Sequence, residues 1–354
     1  MSAGLAAVRL AEVLRVARMR DASDIHLVSG HPPVFRVDGE LAVQSAPEVG
    51  SEELDALTLE LLDERSHEKF GRAGDITRTF CDPDGTTARV HVYRAQGGVS
   101  LAIRLLGIRP PALEVLGLPP VVAAFGMRQH GLVIFAGPTG AGKTTAAAAL
   151  LDRINGASAR HIITIEDPIE YRHASRRSIV AQREVGRDVA GYASAIRGAL
   201  RSDPDVLLVG EMRDRPTMRA AIGAAETGHL VLTTLHTASA GQTIDRVVGA
   251  FSGSEQDEIR AQLAQSLLGV VCLRLVPRVA GGRVAACEVL VATDAVRALV
   301  RDGKTHSLRN LMLTSRHLGM QTLEANLHEL GCSGEIAPAA VRLYAQRSDE
   351  IRSA

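Results

Sequence analysis

Eight consecutive residues, Gly137-Pro138-Thr139-Gly140-Ala141-Gly142-Lys143-Thr144, fit the pattern G-x-x-x-x-G-K-[ST], whose spacing builds a cradle for a chain of phosphates. Glycines let successive backbone N–H groups turn inward, and the helix that follows adds the positive end of its dipole. Lys143 then bridges the outer phosphates, and the Thr144 hydroxyl ligates Mg²⁺. An apolar run over residues 132–136 leads into the loop, and an Ala-rich run headed by Thr145 leaves it. That strand-then-helix context is what the motif requires. The cofactors implied are ATP and Mg²⁺.

Binding a triphosphate does not cleave it, so a second strand must carry a carboxylate to the metal and the attacking water. Two segments offer one. Val206-Leu207-Leu208-Val209-Gly210-Glu211 reads as a buried strand ending in an acid, and Ile162-Ile163-Thr164-Ile165-Glu166-Asp167-Pro168-Ile169-Glu170 runs into a cluster of three. In a parallel sheet both strands deliver their C-terminal ends to the crevice that holds the phosphates. Glu211 and Glu170 are the candidates for the base that orients water, Glu211 joins Thr144 on the metal side, and Glu166 and Asp167 support the metal's water shell. A third strand, residues 230–235, has His229 before it and His236 after it. A polar residue after such a strand can sense the terminal phosphate, and His236 holds that position.

Several elements must position these groups. Residues 1–20 read as an amphipathic helix, because Arg9, Glu12, Arg15 and Arg18 interrupt its apolar positions. Residues 23–41 alternate like a hairpin around Ser29-Gly30-His31-Pro32-Pro33 and Asp38-Gly39. Residues 52–70 have helical spacing, and residues 75–106 read as strands broken at Asp82-Pro83-Asp84-Gly85 and Gly97-Gly98. These make a small α+β domain over residues 1–106. Four prolines between residues 107 and 120 stiffen a linker. From 121 to 294, apolar runs alternate with helical stretches in the rhythm of a doubly wound α/β sheet, and residues 295–354 carry helical signal only.

Composition narrows the function. Forty basic residues balance forty acidic ones, and the chain has four Tyr, six Phe and no Trp. Neither a global field for polyanions nor a stacking platform for bases is present, which disfavours a nucleic-acid translocase. The four cysteines, Cys81, Cys272, Cys287 and Cys332, lack the C-x-x-C spacing of a zinc ribbon and read as buried thiols. No apolar run approaches the length of a membrane span, so a cytoplasmic location is expected.

Taken together, the phosphate loop, residues 166–171, residues 200–205 leading into Gly210-Glu211-Met212-Arg213-Asp214, and the histidine-bearing strand resemble four motifs of the type II/IV secretion and pilus ATPases. These are that family's Walker A, Asp box, Walker B and His box, in order. The resemblance covers nearly the whole chain. It implies a RecA-like P-loop domain, a smaller PAS-like N-terminal domain opening at Ala22-Ser23-Asp24-Ile25-His26-Leu27, and a helical C-terminal region. It also implies a homohexameric ring with each nucleotide between the two domains and phosphate contacts from Arg89 and Arg104. His91 stands where retraction-type members usually carry a further arginine. Ala295-Val296-Arg297-Ala298-Leu299-Val300-Arg301-Asp302 is similar to the retraction signature A-I-R-N-L-I-R-E, with Ala298 in place of the asparagine. The chain has neither the longer N-terminal region nor the four-cysteine insert of assembly ATPases. The branch it most resembles is therefore the one that retracts type IV pili in twitching motility. An inner-membrane platform protein is the implied partner and the only link to the membrane. The alternatives are an assembly or type II secretion ATPase, and a weakly hydrolysing nucleotide-gated scaffold suggested by His91 and Ala298.

Overall fold

The computed structural model describes residues 3–346 except 38, 82–86, 97 and 108. The chain divides into two compact units, Met1–Arg109 with Glu170–Arg172, and Pro110–Ile169 with His173–Ala354.

The first unit runs α1 (Ala3–Met19), β1 (Asp24–Leu27), β2 (Val34–Val37), β3 (Glu40–Val43), α2 (Ser51–Leu61), α3 (Glu64–Ala73), β4 (Asp75–Cys81), β5 (Thr87–Ala95) and β6 (Gly98–Leu105). Its strands form one antiparallel sheet in the order β3-β2-β1-β6-β5-β4. The expected hairpin over residues 23–41 is instead a three-strand meander. The turn after β2 returns the chain as β3, and β1 is claimed on its other side by β6. Alternation buries Ile25, Leu27, Val90, Val92, Leu101 and Ile103 against Leu10 and Leu14 of α1 and Leu54 and Leu57 of α2. The opposite face is left polar. α3 is fixed at its start by Asp63, whose carboxylate accepts from the Ser66 amide at 2.8 Å, and ends at Gly74 in the left-handed region. The expected turn over residues 82–85 lies outside the described residues, as do Asp38, Gly97 and the side chain of Cys81.

The second unit begins inside the proline-rich segment, which is partly ordered. Residues Leu113–Leu116 make a 3₁₀ turn whose Leu113 is buried. There follow α4 (Pro120–Phe125), β7 (Gly131–Ala136), α5 (Lys143–Ala157), β8 (His161–Glu166), β9 (Ile179–Glu184), α6 (Tyr192–Ala199), β10 (Val206–Val209), α7 (Arg215–Glu226), β11 (Leu230–Leu235), α8 (Ala240–Val248), α9 (Gly253–Ser266), β12 (Leu267–Pro277), β13 (Arg283–Val291), α10 (Asp294–Arg301), α11 (Leu308–Thr314), α12 (Leu323–Cys332) and α13 (Pro338–Tyr344). The sheet order is β13-β12-β7-β11-β10-β8-β9. All neighbours are parallel except β13, which returns antiparallel to β12 and makes the sheet mixed rather than uniformly parallel.

Both faces of this sheet are covered, which explains why its central strands read as unbroken apolar runs. Leu132, Ile134, Leu207, Val209 and Val231 pack on one side with α7 and α9. Val133, Phe135, Val206, Leu208 and Leu232 pack on the other with α4 and α5. Burying each large side chain of β7 contributes about 1.5–3 kcal/mol. The C-terminal helices join this unit, packing Leu323, Leu327 and Val341 on Val276 and Ala286 of the β12–β13 pair. Cys272 and Cys287 are buried, whereas Cys332 is exposed because it falls on the outer side of α12.

Two glycines separate crowding from helix propensity. A Cβ at Gly269 on β12 would lie 2.3 Å from the Phe125 ring and 2.7 Å from the Leu290 carbonyl oxygen, while one at Gly223 inside α7 meets nothing within 4 Å. Gly269→Ala is expected to destabilise the protein by about 1–3 kcal/mol, and Gly223→Ala to stabilise it by about 0.5–1 kcal/mol. Urea denaturation of the two variants reads both signs.

Candidate nucleotide site

The parallel ladder sets the site. Leu235 is level with Ala136, and Thr233, Val209 and Ile165 are level with one another. Consequently Gly137, Glu166, Gly210 and His236, each one residue past those positions, emerge at the same C-terminal edge.

The loop after β7 folds as its glycines dictate. Gly137, Gly140 and Gly142 have φ of 144°, 78° and 87°, a region where a side chain costs strain. A Cβ at Gly137 would sit 2.5 Å from the Leu273 carbonyl oxygen. Pro138, Thr139 and Gly140 are exposed, Ala141 is buried, and Gly142 caps α5, whose first residues are Lys143, Thr144 and Thr145. The first amides of a helix have no intrahelical partner and point outward. Lys143 is only 7% exposed. Its ammonium donates to the Pro138 carbonyl at 2.9 Å and lies 3.4 Å from His236 Nδ1.

From His236 the contacts continue. Its Nε2 lies 3.4 Å from Glu211 Oε1, and Glu211 Oε2 accepts from Arg213 Nε at 2.6 Å. An ammonium can only donate, so the tautomer of His236 with its proton on Nε2 satisfies both neighbours. Lys143, His236, Glu211 and Arg213 thus form one chain of alternating donors and acceptors across three strand ends. Arg213, held by Glu211, keeps its proton even more firmly than an ordinary guanidinium.

Glu166 is buried. Its Oε1 accepts from Thr164 Oγ1 at 2.6 Å and Gln182 Nε2 at 3.1 Å, so it is a fixed carboxylate. Asp167 next to it is exposed. Tyr192 stands among these acids, its hydroxyl 3.2 Å from where a Gly210 Cβ would be. Burial, followed by Asp167, pushes the phenol well above its usual range.

Not every residue chosen from sequence joins this group. His229 precedes β11 and so lies at the other end of the strand from His236, with its Nδ1 3.0 Å from the Ala224 carbonyl. Glu170 belongs to the first unit. In that unit Asp24, Arg104, Arg89 and Thr79 form one cross-strand row on the polar face, where Arg104 Nε donates to Asp24 at 2.8 Å. Asp24, Arg89 and Arg104, with His26, Thr77 and His91, border a cleft of about 420 Å³, and His91 Nδ1 lies 3.0 Å from Thr77 Oγ1. Sequence reasoning passed over Arg213, Tyr192, Thr164 and Gln182. Only Arg213 left a signal, as the basic residue two places after Glu211.

The residues at this edge fit a Mg²⁺-nucleotide: an amide-lined loop with an open concavity at Gly140, a buried ammonium, and hard oxygen donors from Thr144, Glu166 and Glu211.

Comparison with known proteins decides the family. The model for "Type II/IV secretion system protein" matches residues 96–281, more than half of the chain. This chain belongs to that family. Among its relatives is the type IV pilus retractation ATPase PilT of Pseudomonas aeruginosa, 40% identical over 93% of this chain and 95% of that protein. Another is a twitching motility protein of Neisseria gonorrhoeae, 36% identical over 98% of this chain and 92% of its own length. A crystal structure of the pilus retraction motor PilT with bound ADP superposes with a TM-score of 0.89 at 39% identity, covering 97% of this chain and 98% of that one. The family model itself stops at residue 281, and it is the full-length PilT structure whose match extends over nearly the whole chain.

Gly137→Ala should weaken binding of a fluorescent ATP analogue at least about ten-fold, since the methyl would push the phosphate loop off the Leu273 carbonyl and strain its backbone. Unchanged affinity in a titration would show that this loop does not grip phosphate.

Proposed function

We propose that this chain hydrolyses ATP to retract a type IV pilus. It is a PilT-like ATPase. The observation that carries the reading is the contact chain Lys143–His236–Glu211–Arg213 beside the glycine loop, in a chain that matches a retraction ATPase and a twitching motility protein over nearly their full lengths.

The work of each residue follows from its chemistry. The loop amides and Lys143 hold the β- and γ-phosphates, and Thr144 with Glu211 would hold Mg²⁺, which when bound neutralises phosphate charge. Glu211 accepts the hydrogen bond of the attacking water and orients it. His236, between Lys143 and Glu211, registers whether a terminal phosphate competes for the ammonium. Glu166 and Asp167 would accept hydrogen bonds from waters on a bound Mg²⁺. Arg89, Arg104 and Glu170 act from the first unit, with the arginines stabilising charge as the phosphoryl group transfers. His229 serves the same cycle by anchoring the start of β11. The working assembly is a homohexamer on the cytoplasmic side of the inner membrane, bound to a platform protein of the pilus machine. Among the described residues no helix is long and apolar enough to cross a membrane, and attachment through that partner supplies the link.

Two variants and one phenotype test this. Lys143→Ala should reduce ATP binding more than about a hundred-fold, and Glu211→Gln should bind ATP normally while turnover falls about 10²–10³-fold, measured by phosphate release and nucleotide retention. Hydrolysis unchanged in both removes the assignment. Deleting the gene should abolish twitching and leave cells hyperpiliated, whereas bald cells would make this an assembly motor.

A further inference from the structure

β13 carries an acid where a buried strand would be expected to carry an aliphatic residue. Glu288 is 3% exposed, and a carboxylate so deep in the protein is stable only with strong partners. Its Oε1 accepts from the Ala240 amide at 2.8 Å, and the carboxylate also takes a backbone hydrogen bond from Leu323. Ala240 is the first residue of α8, and Leu323 is the first residue of α12. One carboxylate therefore satisfies the leading amides of two helices and faces the positive end of both dipoles. Arg309 attracts it and Glu324 repels it, while those two pair with each other at 2.8 Å.

The two helices differ in what they reach. α8 starts four residues after His236, and the intervening loop is braced by hydrogen bonds from Thr237 to Thr243 at 2.7 Å and from Thr243 to the Ser239 carbonyl at 2.8 Å. α12 belongs to the C-terminal helices. A second tie runs beside the first. Gln346 donates its side-chain amide to the Ala238 carbonyl at 2.7 Å and its backbone amide to Glu324 Oε1 at 3.2 Å.

We propose that Glu288 is a positioning residue that joins the loop after His236 to α12, so that nucleotide at the phosphate loop alters α12 mainly through this buried carboxylate, with Gln346 as the lesser tie beside it. This deepens the reading of His236 as the residue that registers the terminal phosphate, and rests on it. A hydrophobic residue of similar volume would fill the space equally well, but it would leave two helix ends without an acceptor and nothing to move them together. The carboxylate has two oxygens for two amides. Glutamine keeps one acceptor and presents an NH₂ to the other amide.

The test uses the full chain with Mg²⁺ and a non-hydrolysable ATP analogue, read by hydrogen exchange. In the wild type, the analogue should slow exchange in the phosphate loop, in α8 and in α12. In Glu288→Gln, the first two responses should persist and the response of residues 323–332 should fall by at least about half, the remainder passing through Gln346. Turnover should fall about ten-fold with KM within about two-fold, the pattern of a lost positioning contact rather than lost binding. A purely structural role would lower the unfolding midpoint yet leave the response of α12 in place. Should glutamine prevent folding, Glu288→Asp keeps the charge but is too short to span both amides, and is read in the same way. A wild-type α12 that ignores the analogue, or a variant α12 that responds like the wild type, overturns the proposal. A chain whose α12 responds but which never releases phosphate would sink the ATPase reading and leave this coupling standing.

Discussion

The register between β11 and its neighbours is the constraint on which the rest depends. Because strands alternate sides every residue, a slip of one position would turn every core-facing side chain of β11 toward the wrong layer. The packing of Val231 on one side and Leu232 on the other therefore locks the level of the strand against β7 and β10. That lock brings His236 within reach of Lys143, and Thr234 Oγ1 fastens the end of β10 by donating to the Gly210 carbonyl at 2.6 Å. Nothing in the chemistry at the edge has to be aligned separately once the sheet is packed.

Charge in this edge is arranged so that each ion sees its opposite. Lys143 is nearly buried beside a helix N-terminus, two positive features in one place, and an isolated pair of that kind would be costly. The Pro138 carbonyl lies directly on the ammonium, and Glu211 lies one imidazole away. Glu211 in turn holds Arg213. A phosphate chain entering the loop has to compete only for the Lys143 end of this series. The exposed members, His236 and Arg213, can follow the change at little cost, while Glu166 is held rigid by Thr164 and Gln182.

What the sequence made legible was whatever is local. The phosphate loop needs eight consecutive residues, and its strand and helix flank it directly. The caps of α7 and α10 are as local, although the sequence reading did not single them out: Asp214 and Thr293 stand just ahead of their first turns and accept from the Thr217 and Val296 amides. Non-local facts were not readable. Glu166, Asp167 and Glu170 stand close in sequence, but β8 ends at Glu166 and Glu170 belongs to the first unit, which no local pattern announces. His229 and His236 look like a pair, but six strand residues at about 3.3 Å each separate them. The β12–β13 return does carry a turn signal, Gly281-Gly282 at positive φ, but a turn alone does not say which strand its partner flanks, so the antiparallel edge and the acid it buries emerged only in three dimensions.

These facts combine into a mechanical asymmetry. The central strands are buried on both faces and cannot shift without opening the core, so any displacement at the nucleotide edge must be taken up by the segments that leave it. After β7 that segment is the glycine loop, which ends in α5. After β10 it is Gly210 to Asp214, which ends in the capped start of α7. After β11 only His236, Thr237, Ala238 and Ser239 intervene before α8, and this exit is tied by Glu288 and Gln346 to the C-terminal helices. Of the three exits, the one beginning at His236 is therefore the shortest loop, and it is hydrogen-bonded directly to Glu288 of β13 and to Gln346 after α13. A rigid sheet thus makes small changes at the ammonium of Lys143 directional, because the exit whose His236 lies 3.4 Å from it is also the one fastened to Glu288 and Gln346.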